Sequence, residues 1–207
     1  MQGLKIALLI FFMPTEGFRW IKKDRTKFSY SAPLVILALL LVARIFNVLL
    51  THFPLAGVLP EDARFSQELL TILAPLAIFI VSCYLVTTIL SGETLLREVF
   101  SATLYALLPL AVLTFPLTML SWILSASSAG VYNTLFILLF VWSAILVLIS
   151  ISCMNSYSLK KTLLVAFLAI CASVFIVVVL SLLYVLGIRV VDFVKEVLTE
   201  YRILFWG

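Results

Sequence analysis

Apolar residues fill most of this chain in five long blocks, at residues 32–53, 69–90, 99–124, 131–154 and 162–188. A bilayer's hydrocarbon core is about 30 Å thick and takes roughly 20 apolar residues per helix, so each block can cross it. The blocks do not alternate apolar and polar positions, and they are about twice as long as the ~10-residue strands of a barrel, which disfavours a closed β-barrel. Stretches of turn-forming residues, such as Ser91-Gly92-Glu93 and Ser125 to Gly130, separate blocks, as expected where the backbone returns to water. The pattern predicts an all-α integral membrane protein: a bundle of five transmembrane helices over residues 32–188.

Both ends carry a different pattern. The stretch LKIALLIFFM (residues 4–13) is apolar but too short to span, and the basic, aromatic PTEGFRWIKKDRTK follows it in place of a small-residue cleavage site. Residues 1–31 are expected to form a cytoplasmic, interfacial arm, with Phe18 and Trp20 at headgroup level and the lysines on anionic lipid. The alternative is an arm buried against the bundle. At the other end, Val190, Val191, Val194, Val197, Leu198 and Tyr201 share one helical face, and Asp192, Lys195, Glu196, Thr199 and Glu200 share the other. Residues 189–207 therefore read as an outer amphipathic helix, lying on the surface or extending the fifth span, anchored in lipid or docked on a partner.

Composition supports a lipid solvent. The chain is 64% hydrophobic and 12% charged, against about 45–50% and 25% in soluble domains. The placement of charge gives orientation. Lys5, Arg19, Lys22, Lys23, Arg25, Lys27, Arg97, Lys160 and Lys161 fall on one side of the spans, and only Arg64, Arg189, Lys195 and Arg202 on the other. Positive residues mark the cytoplasmic side, so the N-terminus is expected inside and the C-terminus outside. No basic stripe with interleaved aromatics appears, which argues against a nucleic-acid partner.

One cation lies inside a block. Arg44 is twelve residues past Ala32, about 18 Å along a helix. An arginine near the bilayer centre costs at least ~2.5 kcal/mol, yet no predicted block holds an acidic residue in its interior. Reaching Glu61, Asp62 or Glu68 requires a re-entrant loop or a shifted span. Asn47 shares Arg44's helical face, and Pro75, Pro109 and Pro116 each free a backbone carbonyl. Arg44 and Asn47 are therefore expected to face the bundle interior, with Tyr84, Thr87, Tyr105, Pro109 and Thr114 supplying hydroxyls or freed carbonyls. Three roles fit such a site: a structural hydrogen-bond hub, a site for an anion or lipid phosphate, or one half of an ion pair with another subunit.

Enzyme chemistry has little to draw on. His52 is the only histidine, and no HExxH, CxxC, GxSxG or phosphate-binding glycine loop occurs. No metal and no cofactor are expected. Cys83 and Cys171 read as small core residues.

The stretch GETLLREVFSATLYALLPL (residues 92–110) pairs a short glycine-containing loop with a span opening on Tyr105-Ala106-Leu107-Leu108-Pro109. MPTEGFRWIKKDR (residues 13–25) joins Pro-x-x-Gly-Phe to a basic run, and NSYSLKKT (residues 155–162) holds Tyr157, Ser158 and Lys161. Together these resemble the Ypt-interacting protein (Yip) domain family. Asn155 stands where many bacterial members have histidine, and the eukaryotic Asp-Leu-Tyr-Gly-Pro signature is missing, which places the resemblance with the bacterial branch. It implies a small, five-span, non-enzymatic protein of the bacterial plasma membrane that acts through partners. Arg19, Lys22, Lys23, Arg25, Arg97, Tyr157 and Lys161 would form its cytoplasmic docking or lipid-facing rim. The expected role is a scaffold or accessory subunit for another membrane protein or complex, a transport complex among them, in contact with membrane lipids. The alternatives are a small anion or solute transporter or channel, and a lipid-handling protein.

Overall fold

The computed structural model describes residues 2–23, 31–52, 55 and 64–206. Two short helices, α1 (Gln2–Phe12) and α2 (Pro14–Lys23), precede the membrane helices. These are α3 (Ser31–Leu50), α4 (Phe65–Ile89), α5 (Leu96–Ala106), α6 (Leu108–Leu120), α7 (Ala129–Asn155) and α8 (Leu159–Trp206). Among the described residues five segments are long and apolar enough to cross a membrane: α3, α4, α5 with α6, α7 and most of α8. The protein is a five-span helical bundle. Its two faces are named here the arm face, which carries α1 and α2, and the far face.

The third span is broken at Leu107, between α5 and α6. Pro109 lacks the N–H that would reach the Tyr105 carbonyl four residues back, so one continuous helix loses a bond there. The break lets α5 sit at the centre of the arm-face half. Glu98, Val99 and every residue from Ser101 to Ala106 are buried. Pro75 and Pro116 lie inside α4 and α6 without ending them.

The arm is part of the core. Ile10 and Phe18 are fully buried, and with Ile6 and Ile21 they pack among Ile36, Leu104, Tyr105, Leu146 and Met154. Phe18 therefore sits inside the protein instead of at headgroup level, while Arg19 and Trp20 occupy the exposed side of α2. Pro14 opens α2, where a missing N–H costs nothing. Gly17 permits the tight crossing of α1 and α2. A β-carbon there would lie 2.5 Å from Ile10 Cγ1 and 3.1 Å from the Ile10 backbone nitrogen.

One boundary differs from the pattern-based expectation, and at the other end of the chain the structure adopts one of the two expected forms. Helix α4 starts at Phe65 and so includes Ser66, Gln67 and Glu68. A window tuned to apolar residues rejects these polar positions, but a first helical turn welcomes an acid beside its unpaired N–H groups. At the other end, α8 runs unbroken through the fifth span and the amphipathic segment. Its 48 residues make a rod of about 72 Å at 1.5 Å per residue. Only its first turns are packed. Val165 and Ala169 meet Ile80, Cys83 and Val86 of α4, while Cys171 is exposed instead of in the core.

Gly17→Ala should force α1 off α2 and destabilise the protein by about 1–3 kcal/mol, the usual cost of overpacking. Gly130, also helical, has open space around it, so Gly130→Ala should be neutral or stabilising by up to ~1 kcal/mol. Thermal unfolding of the two variants in the same detergent checks the contrast.

Candidate functional site

On the arm face, the loop after α4 meets the loop after α7. Helix α4 ends at Ile89, and Ser91 adopts a left-handed backbone with φ 56°. Ser156, the residue that ends α7, does the same with φ 55°. These paired reversals bring Gly92 against the second loop. A β-carbon on Gly92 would lie 2.6 Å from Asn155 Oδ1 and 2.7 Å from both the Thr87 carbonyl and the Tyr157 hydroxyl. Thr94 Oγ1 donates to Asn155 Oδ1 at 3.0 Å, and Asn155 Nδ2 donates back to the Ile151 carbonyl at 3.2 Å. The Tyr157 hydroxyl donates to the Leu90 carbonyl at 3.2 Å, closing the end of α4. Burial pushes the Tyr157 hydroxyl pKa up, with Cys83 and Glu93 adding to the shift, so it holds its proton and remains a donor.

The arm joins this clasp. Lys22 Nζ lies 3.0 Å from Glu93 Oε2 and donates to Ser156 Oγ at 2.6 Å. Lys161 Nζ sits 4.1 Å above the Tyr157 ring, a contact worth about 0.5–1 kcal/mol when exposed. Glu98 is buried beneath, accepting from the Leu95 N–H at 3.0 Å in the first turn of α5. Thus Lys22, Tyr157 and Lys161 converge, whereas Arg19, Lys23 and Arg97 stand exposed around them. Arg25 lies outside the described residues.

The second polar constellation is in the far half. Arg44 is six residues before the end of α3, about 9 Å from that end. Its Nε and Nη2 donate to Glu68 Oε2 at 3.0 and 2.8 Å. The early start of α4 thus supplies, within one chain, the carboxylate that the block pattern lacked. Asn47 Nδ2 donates to Thr118 Oγ1 at 2.9 Å, with the Tyr132 hydroxyl at 3.4 Å. Thr114 and Thr118 on α6 and Ser121, which caps it, lie at helical spacing and are buried. Ser121 Oγ accepts from the His52 N–H at 3.0 Å, and Trp122 Nε1 donates to the Leu50 carbonyl at 2.8 Å. This seam satisfies the last carbonyl of α3, that of Leu50, and locks α3 to α6.

Beside the seam lies a cavity of about 590 Å³ bounded by α3, α4, α6 and α7. Arg44, Asn47, Thr51, Thr71, Thr114 and Tyr132 line it together with Leu40, Pro75, Leu107, Leu110, Phe136 and Phe140. Tyr84, Tyr105 and Pro109 do not. Tyr105 is in the arm-face core with Phe18, Pro109 is buried at the start of α6, and Tyr84 lies on α4 away from Arg44. Sequence reasoning named Glu68 only as reachable through a shifted span, which the early start of α4 supplies, and it missed Thr118, Ser121 and Tyr132. The Thr114, Thr118 and Ser121 spacing was a readable signal.

The three stretches that carried the resemblance, around Gly17, Gly92 and Tyr157, thus meet in one clasp. A family model described as the Yip1 domain matches residues 8–183. The chain belongs to the Yip1-domain family. No curated protein and no solved structure matches it. The Yip1 match takes in the arm from residue 8, the clasp and the polar seam, and ends within α8.

Adjacent loop residues should respond in opposite directions. Gly92→Ala intrudes on a backbone carbonyl and should cost about 1–3 kcal/mol. Ser91→Gly relieves a left-handed backbone and should be neutral or gain up to ~1 kcal/mol. Melting temperatures of the two purified variants decide this.

Proposed function

We propose that this Yip1-domain protein is a non-enzymatic accessory subunit that lends its last helix to a larger membrane complex. The carrying observation is the outer length of α8. Beyond Ile176 the described side chains of this helix are exposed on every side. Lipid can cover about 30 Å of it, but the helix is more than twice that length. The amphipathic stretch with Val190, Val191, Val194, Val197 and Leu198 therefore projects past the hydrocarbon. An apolar stripe held in water calls for a protein surface. The charge asymmetry of the chain favours an arm face in the cytoplasm and an α8 projection outside, in a bacterial plasma membrane.

The clasp gives the complementary end. Its exposed rim of Arg19, Lys23 and Arg97 offers positive charge to anionic lipid or to an acidic partner. A transporter reading draws less support, because the described cavity lining belongs to the far half of the bundle.

Purification of the full-length protein from its native membrane in mild detergent, after brief crosslinking, should yield a stoichiometric membrane-protein partner. Val190→Lys with Val194→Lys should remove that partner while leaving the protein's melting temperature unchanged. A protein that is always recovered alone contradicts the proposal.

A further inference from the structure

We propose that the far-half cavity is a phospholipid site, in which Arg44 holds the phosphate and the apolar depth takes an acyl chain.

Every polar lining residue lies toward the far ends of the helices, among Val48, Leu55 and Ile72, and the depth of the cavity is wholly apolar. Thr51 and Tyr132 are at or within one turn of the far ends of α3 and α7. Asn47, Arg44, Thr71 and Thr114 come next, about 5–9 Å inward at 1.5 Å per residue. Leu40, Pro75, Leu110 and Phe140 lie about 15–17 Å in, and Leu107, at the helix break, is deeper still. A polar mouth over an apolar floor matches an amphiphile lying in the direction of the surrounding lipids. A small polar solute would gain nothing from the floor, and a pure hydrocarbon would leave the mouth unsatisfied. The volume falls within the ~300–1,000 Å³ typical of small-molecule sites.

Arg44 is held but not used up. Glu68 engages Nε and Nη2 through one oxygen. Among the described residues nothing accepts from Nη1, and 37% of the Arg44 side chain is exposed, in a position that lines the cavity. Glu68 is itself no part of the lining. It holds the guanidinium through Nε and Nη2, while Arg44 itself lines the space and Nη1 keeps its donors. A phosphodiester oxygen suits those donors, because charge-assisted guanidinium–phosphate bonds are short and strong. The lipids of the far leaflet are the only phosphate esters that carry an attached apolar chain at this depth.

The test uses the full-length protein in nanodiscs of phosphatidylcholine containing a small fraction of a phosphatidylglycerol with a diazirine in the upper part of one acyl chain. After illumination, crosslinked peptides are mapped by mass spectrometry. Labelling should concentrate on the cavity floor, at Leu107, Leu110 and Phe140. A diacylglycerol with the same diazirine chain but no phosphate should label these positions roughly tenfold less or weaker still, the loss expected for one charge-assisted hydrogen bond. Arg44→Gln should reduce phospholipid labelling to that level, Leu110→Trp should abolish it by filling the floor, and inorganic phosphate should not compete. Labelling spread over lipid-facing positions such as Phe167 and Phe175 overturns the proposal in the wild-type protein, whatever the variants do. Equal labelling by the phosphate-free lipid, or competition by inorganic phosphate, overturns it as well.

Discussion

An arginine within a bilayer must find an acceptor, and the far half of this protein is arranged around that requirement. Arg44 meets Glu68 at 2.8 Å, and this contact fixes how α3 and α4 stand relative to each other. It needs α4 to begin at Phe65, so that the carboxylate enters the first turn, where the helix dipole also favours it. It draws α3 and α4 together around two large polar heads instead of small apolar side chains, and the cavity opens beside them. Asn47, one turn further along α3, ties the opposite flank to Thr118 on α6. The far half is thus polar at its centre and loosely filled.

The arm-face half is built the other way. Its core is apolar and dense, with Ile10, Phe18, Leu104 and Tyr105 fully or almost fully buried. Its loops are short, and they close on one another through Gly92, Asn155 and Tyr157 without space for a β-carbon. The broken third span divides the two regimes at Leu107. This division suits the proposed work of the protein: a rigid base that holds five helices in register, a softer far half open to lipid, and a long last helix free to meet a partner.

The architecture was legible because hydrocarbon imposes length and apolarity on every span, and both can be read directly from sequence. The five blocks correspond to the five spans, and the proline at 109 marks the real break. What escaped was decided by tertiary packing. Phe18 and Trp20 are two residues apart in a basic stretch, and only the fit of α1 against α2 through Gly17 decides that the first goes inside and the second outside. Asn47 was assigned to the interior from its place beside Arg44, but Tyr105, expected to join them, lies on the arm-face side of the break. Glu68 fell just outside the apolar block, because a hydropathy window treats a polar residue at a helix end as loop, so it was within reach only through the shifted span that α4 supplies. The motif stretches around Gly17, Gly92 and Tyr157 were recognisable singly, and the fold explains them jointly as parts of one clasp.

The central claim is that Arg44 is answered by Glu68 of the same chain, and a double-mutant cycle tests it most directly. Arg44→Leu, Glu68→Leu and the double variant would be compared by melting temperature in one detergent. Each single change leaves a charge without its partner, whereas the double change replaces the pair by apolar groups, which is often close to neutral. The account predicts that the double variant is more stable than either single one, with a coupling of roughly 1–3 kcal/mol, between the values for exposed and buried pairs. Strictly additive losses would contradict it, since Arg44 and Glu68 would then be stabilised by different partners.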